Sequence, residues 1–288
     1  MIEERKPNLF IPGFPKCGTS ALYSILGQHP EIFAPDSKEP GTYSNDYFFK
    51  RRERYFKKNY SNVEELYILD SSTAYIISSE ALDRIAAECD DPKFIVIARD
   101  PVQRIVSHYN WLSKKGFVNK SFFHEIEAHS SEKFDFRRHY QLNYKAYLDC
   151  SMYGEKLTYL LDLFPKENLF ITTQEALSSH GSETLDRILN FLDLESYSFD
   201  QVRVNVTEQI VKKEYQATLA NKVCNRLKKE WMILNGFPRT QTIRNPMQKR
   251  IETNDDVYQF LVPFLSKDLE LFRSLELLET DWKVWNYL

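Results

Sequence analysis

The stretch that decides the fold is Ile11 to Leu22, IPGFPKCGTSAL. The run around it, PNLFIPGFP, is apolar and closes in Gly and Pro, as a buried strand entering a loop does. GTSALYSILGQHP then places Leu22, Ile25 and Leu26 on one helical face, and Gly27 to Pro30 stop the pattern. The unit is strand, loop and helix, with the loop at the helix start. Gly13 and Gly18 have the spacing of a nucleotide-triphosphate loop, G-x-x-x-x-G-K-[ST], but Thr19 fills the lysine position and the lysine of this loop is Lys16.

Working outward, the same unit recurs at ELYILDSSTAYI and at PKFIVIARDPVQRIVSHYNWL, each an apolar strand, a polar turn and a helical pattern. A fourth strand is expected at ENLFITTQEAL, after an amphipathic helix at KLTYLLDLFP and before another at SETLDRILNFLDL. Repeated β-loop-α units predict an α/β fold with an open parallel sheet of at least four strands, covered by helices. From about Asn205 to Arg250 apolar strand runs vanish and Lys, Arg and Gln dominate, which predicts a mostly helical region with an extended loop, not a second core. The closing stretch, DDVYQFLVPFLSKDLELFRSLELLETDWKVW, returns to helical periodicity, interrupted at Pro263. With no internal repeat or low-complexity linker, one domain spanning residues 1–288 is expected.

The 42% hydrophobic and 14% aromatic content of this 288-residue chain supports a buried core and argues against disorder. A formal charge of -3 lacks the basic signature of a nucleic-acid binder, so anion binding has to be local. Cys17, Cys89, Cys150 and Cys224 form no C-x-x-C pair, which points away from zinc or redox chemistry and toward reduced thiols in a cytoplasmic protein. The start, MIEERKPNLFIPGF, has mixed charges and a short apolar run, so neither a signal peptide nor a membrane anchor is expected.

A loop that opens a helix turns its backbone N–H groups, here those of Cys17, Gly18, Thr19, Ser20 and Ala21, toward an anion, and the helix dipole reinforces them. Lys16 adds a point charge, and the Thr19 and Ser20 hydroxyls add donors. A magnesium-bridged triphosphate is disfavoured, because the lysine that reaches its β- and γ-phosphates is missing. In IVIARDPVQRIVSHY, Arg99 follows directly on a strand and Ser107 lies about two turns into the helix that Pro101 begins. The pair is placed to grip a phosphate with a guanidinium fork and a hydroxyl. The competing arrangement pairs Arg99 with Asp100.

PKCGTSAL and RDPVQRIVSHY together resemble the sulfotransferases that use 3′-phosphoadenosine-5′-phosphosulfate (PAPS), most closely the heparan-sulfate-type and bacterial branch. The resemblance runs from about Leu9 to Leu177 and, more weakly, over FLSKDLELFRSLELLETDW. It implies a P-loop-like sulfotransferase fold, no required metal, a loop holding the 5′-phosphosulfate, and Arg99 with Ser107 holding the 3′-phosphate. It implies that Lys16 supports the leaving group and that Glu39, in DSKEPGTYSNDYFF, is the general base, with Asp46 as the second candidate. Lys38 beside Glu39 favours the carboxylate form. His29 and His108 read as structural. Ser71 stands where that branch carries a further lysine, so no second catalytic lysine is carried over, while Ser71, Ser72 and Thr73 stay candidates for lining the pocket. A late loop that folds over the nucleotide has its candidates in Arg239, Arg244, Lys249 and Arg250.

The implied acceptor is a hydroxyl, or an amine, of a small molecule or saccharide. YFFKRRERYFKKNYS reads as a solvated basic helix, and Trp231, Phe237, Trp282 and Trp285 as core. Two other classes compete: a P-loop kinase-like NTPase, for which Asp70 at the end of YILD would be the magnesium-side carboxylate, and a catalytically silent adenine-nucleotide-binding module.

Overall fold

Leu9 and Phe10 are the whole of the first strand, yet they form the centre of the sheet, flanked on both sides by longer parallel strands. The computed structural model describes residues 5–135, 144–200 and 248–288. Its elements are β1 (Leu9–Phe10), α1 (Thr19–Leu26), β2 (Ile32–Phe33), α2 (Asp46–Phe49), α3 (Arg52–Asn59), β3 (Tyr67–Asp70), α4 (Ser79–Glu88), β4 (Lys93–Ala98), α5 (Pro101–Lys114) and α6 (Phe122–Ala128). After these come α7 (Tyr153–Leu163), β5 (Leu169–Thr173), α8 (Gln174–Ser179), α9 (Gly181–Phe191) and α10 (Asp255–Ser274).

The strand order is β2-β3-β1-β4-β5, and every pairing is parallel. Leu9 aligns with Leu69 on one side and Lys93 on the other, and β4 runs with β5 from Phe94↔Leu169 to Ala98↔Thr173. The chain moves to one side of β1 for β2 and β3 and to the other for β4 and β5. The crevice at the carboxyl end of β1 is therefore the switch point where open α/β sheets bind ligands. The four strands expected from the sequence are present. The fifth, β2, is a two-residue edge strand, too short for any periodicity to reveal.

The strands are buried on both faces, as sheets between helical layers are. Phe10 stacks on Phe94 at 5.5 Å between ring centroids, and Phe94 meets Phe164 at 4.5 Å. On one flank α7 packs on α10 so closely that a Cβ on Gly154 would lie 2.5 Å from the Asp268 carbonyl oxygen. Asp268 in turn accepts from the Gly154 and Glu155 N–H groups and caps α7. Pro263 does not interrupt α10, contrary to the sequence expectation. Pro263 and Gln259, whose carbonyl loses its helical partner, are both exposed, so that carbonyl is open to solvent and the helix runs on.

Among the described residues, no helix is long and apolar enough to cross a membrane. Cys17, Cys89 and Cys150 are free thiols. Most of the region around 205–250, with Arg239, Arg244, Trp231, Phe237 and Cys224, lies outside the described residues.

Candidate active site

The loop after β1 is held at both edges by the sheet. Phe14 N–H donates to Ile97 O and Ile97 N–H to Gly13 O, while Ile76 N–H donates to Pro12 O. Gly13 and Gly18 adopt φ of 153° and 97°, and a side chain at Gly13 would run into Ile76 and the Thr73 carbonyl. Lys16 also has a positive φ, 71°, a conformation few non-glycine residues adopt outside constrained sites.

Gly18 is the N-cap of α1, with no side-chain cap and no acidic residue in the first turn. Of the five amides expected to face an anion, Cys17 N–H donates to Phe14 O and Ala21 N–H to Gly18 O. Those two are spent inside the loop, because the turn closes on itself before the helix begins. The Gly18, Thr19 and Ser20 amides have no acceptor among the described residues. The Cys17 side chain points into the core, 3.8 Å from the Tyr153 hydroxyl, and burial pushes its thiol up to about 12, so it is no nucleophile.

Three cations surround this loop, and none has a carboxylate partner among the described residues. Arg99 at the end of β4 donates only to Gln103 Oε1, at 3.2 Å. The competing Arg99–Asp100 pair does not form. Asp100 instead caps α5 through the Val102 and Gln103 amides and accepts from Tyr258 Oη and Val284 N–H. Arg104, not anticipated from the sequence, is fully buried and donates to Ser151 Oγ, Tyr147 O and, at 3.5 Å, to the loop's own Pro15 O. Lys16 is the third cation. Burial, with the charges of Arg104, Lys115 and Arg99, lowers its pKa to about 8.

One face of α5 completes the arrangement. Gln103, Ser107 and Trp111 follow at intervals of four and share that face. Gln103 touches Arg99, Lys16 Nζ lies 5.3 Å from the Trp111 ring centroid, and the Ser107 hydroxyl, between them, has no partner among the described residues. Arg99, Ser107 and Lys16 thus belong to a single electropositive surface at the switch point of the sheet.

Glu39 lies across from this surface, beyond the carboxyl end of β3. Its Oε1 accepts from Lys38 Nζ at 2.8 Å and from Thr73 Oγ1 at 3.3 Å. Lys38 also reaches Thr19 Oγ1 at 3.4 Å, which ties Glu39 to the loop. Asp46 is elsewhere, exposed and paired with Arg84 at 2.5 Å. Asp70 is buried and turned inward, accepting from Ser72 N–H and Tyr75 Oη, and burial raises its carboxyl to about 6. Those contacts spend Asp70 on the turn after β3, where a magnesium-side carboxylate would have to face the loop.

Ser72 Oγ accepts from Gly41 N–H, and Ser71 offers its carbonyl to Lys38. His29 bridges a turn through Glu31 N–H and Glu195 O, and His108 is buried against Tyr144 and Tyr147, its pKa pushed well down by burial, so both are structural. Lys249 and Arg250 are exposed on a strap that Asn110 and Ser113 of α5 hold through Ile251 and Gln248. Trp282 and Trp285 stack with Phe272 in the core. Among the described residues no cluster of His, Cys, Asp and Glu is arranged to hold a metal.

Arg104 is the residue that sequence reasoning missed, and Lys38 entered it only as a charge beside Glu39. The available signal for Arg104 was a charge on the apolar face of an amphipathic helix, one turn before Ser107 and His108. For Lys38 there was none beyond adjacency to Glu39.

Residues 6–246 match the family described as the sulfotransferase domain. The chain is 25% identical over 274 residues to the membrane-associated sulfotransferase kil1 of Dictyostelium discoideum, with 68% of this chain and 58% of that protein covered. It is 28% identical over 197 residues to heparan sulfate glucosamine 3-O-sulfotransferase 5 of Mus musculus, covering 66% of this chain and 54% of that one. The chain thus spans somewhat over half the length of these curated relatives. Among solved structures, a sulfotransferase from Alicyclobacillus acidocaldarius superposes with a TM-score of 0.69 at 20% identity, over 96% of this chain and 98% of the other, and so shares the fold.

Proposed function

The chain belongs to the sulfotransferase domain family, and from that premise we propose that it transfers the sulfuryl group of PAPS to a hydroxyl, or an amine, of a small-molecule or saccharide acceptor. The observation that carries this reading is the set of three cations without carboxylate partners, Lys16, Arg99 and Arg104, around a loop whose Gly18, Thr19 and Ser20 amides are free. Lys16 and Arg99 are half-buried charges left unpaired, which is costly and which an anionic ligand relieves, while Arg104, sealed beneath the loop, adds to the positive field.

PAPS supplies an activated sulfuryl group on a 5′-phosphate leaving group. The loop amides and the Thr19 and Ser20 hydroxyls hold the 5′-phosphosulfate. Arg99 and Ser107 hold the 3′-phosphate and thereby select the bisphosphorylated adenosine. Lys16 offsets the charge that builds on the leaving phosphate, a role that needs no metal. Glu39 takes the proton of the acceptor as the new oxygen–sulfur bond forms. One sheet with its covering helices in the described residues supports reading residues 1–288 as a single domain.

A cleft of about 760 Å³ lies between the start of α4, the 131–135 segment and α7, and none of Lys16, Glu39, Arg99 and Ser107 lines it. Its lining carries six carboxylates against Lys133 and Lys156. A formal charge of -3 gives no special support for a polyanionic acceptor, which favours a smaller hydroxyl- or amine-bearing one.

Calorimetric titration with adenosine 3′,5′-bisphosphate, beside 5′-AMP and ATP with magnesium, tests the proposal. The bisphosphate is expected to bind tightly without magnesium, and Arg99→Ala to weaken it about 100-fold while leaving 5′-AMP unchanged. Preference for ATP with magnesium would move the chain to the kinase-like class.

A further inference from the structure

We propose that Lys38 is a positioning residue for Glu39, one that presents a single carboxylate oxygen to the acceptor and turns its own charge toward the reacting anion as Glu39 is protonated. The inference rests on the reading of Glu39 as the base. A lysine ammonium has three protons to donate, and Lys38 spends them on three segments. Nζ reaches Glu39 Oε1 at 2.8 Å, the Ser71 carbonyl at 3.3 Å and Thr19 Oγ1 at 3.4 Å. The main chain is held as well, since Ser71 N–H donates to Lys38 O at 3.2 Å. Its head group and its backbone are therefore both anchored at the carboxyl end of β3. At 21% side-chain exposure, against 31% for Glu39, this is no swinging surface ion pair.

Both donors to Glu39, Lys38 and Thr73, land on Oε1. Oε2 has no partner among the described residues and is the atom left to receive a proton. In the transfer, the acceptor O–H bond breaks and its proton moves to Glu39 Oε2. The electron pair of the acceptor oxygen forms the bond to sulfur, and the sulfur–oxygen bond to the 5′-phosphate breaks with its pair remaining on the phosphate. Glu39 is then neutral. The positive charge of Lys38, still hydrogen-bonded to Thr19 in the anion loop, is no longer balanced by its neighbour and acts on the developing anion instead. Proton transfer and charge stabilisation are thereby coupled through one residue.

The test compares wild type, Lys38→Met and Lys38→Arg. The first arm needs no acceptor: in protein labelled with ¹⁵N-lysine, the Lys38 ammonium, assigned by its loss in Lys38→Arg, should give a slowly exchanging proton resonance that Glu39→Gln shifts. Absence of that resonance in the wild type overturns the proposal. The second arm follows release of adenosine 3′,5′-bisphosphate from PAPS, with 4-nitrophenol and ethanolamine as probe acceptors and water as the default one. Lys38→Met should lower kcat about 100-fold, with KM for PAPS and affinity for the bisphosphate within about threefold of wild type. Lys38→Arg should recover activity to within about tenfold, because a guanidinium keeps the charge but not the three-way geometry. Unchanged turnover in Lys38→Met, or bisphosphate affinity falling in step with kcat, would each overturn it. Failure of the wild type to bind the bisphosphate would instead sink the cofactor reading, and the ammonium resonance of the free protein would still decide the Lys38 contacts.

Discussion

Helices α1 and α5 both follow central strands of the sheet and begin at the same crevice, yet their first turns are finished in opposite ways. At α5, Asp100 caps the Val102 and Gln103 amides, and Pro101 has no N–H to offer. At α1, Gly18 caps nothing, the first turn carries no acidic residue, and three amides face outward. The difference says how each helix can hold an anion. On the proposed reading, the site at α1 is made by the main chain and the helix dipole, whereas at α5 it is made by side chains, Arg99 before the helix and Ser107 within it. A main-chain site follows the placement of glycines; a side-chain site is lost with one residue.

The largest effect should come from the side chain that the main-chain site relies on for chemistry. Lys16→Met is expected to lower turnover about 1000-fold while weakening the bisphosphate less than about tenfold, because Lys16 acts on charge that exists only in the transition state. Single-turnover kinetics beside calorimetry separates the two quantities. Equal losses would make Lys16 an ordinary ligand and remove the division of labour between the helices.

A smaller effect would come from giving α1 the cap chemistry that α5 already has. Ser20 is exposed in the first turn of α1, and its amide is free. Ser20→Asp puts a carboxylate where the ligand anion belongs. It should raise stability to urea by about 0.5 kcal/mol through the helix dipole and lower bisphosphate affinity about 30-fold. If affinity holds, the α1 amides are not the anion site.

The contrast also marks what the sequence could reveal. Gly13, Gly18, Pro101 and the apolar runs act through local rules of turn, cap and strand, so the sheet, the loop and the start of α5 were legible. The placement of Arg99 at the end of β4 and of Ser107 within α5 was legible because a strand end and a helical period fix their relation. The partners of Asp100, by contrast, come from Tyr258 and Val284, more than 150 residues away, so a cap with four donors was invisible and an Arg99–Asp100 pair looked reasonable. Arg104, and the reach of Lys38 beyond Glu39, were missed for the same reason. What makes each distinctive is long-range, Ser151 and Tyr147 for the one and Thr19 and Ser71 for the other. The edge strand β2 exists only because β3 lies beside it.

The smallest effect concerns what the open site costs the unliganded fold. Lys16 has a folded-state pKa of about 8, below its ordinary value near 10.5, because burial and three neighbouring cations disfavour its charge. Below about pH 8 it is protonated whether the chain is folded or not, and the folded state carries the full penalty. Between about pH 8 and 10.5 the unfolded chain binds more protons than the folded one, so this contribution makes stability rise with pH. Lys16→Met removes the penalty. At pH 7 it should therefore stabilise the free protein, on the order of 1 kcal/mol once solvent screening is allowed for, and the gain should fade as pH climbs through that window. Urea unfolding of both proteins at pH 7, 8.5 and 10 reads this directly. A destabilised Lys16→Met would mean that Lys16 helps to hold the loop together; a stabilised one identifies a residue kept at the expense of the fold, as expected where a ligand anion completes the site.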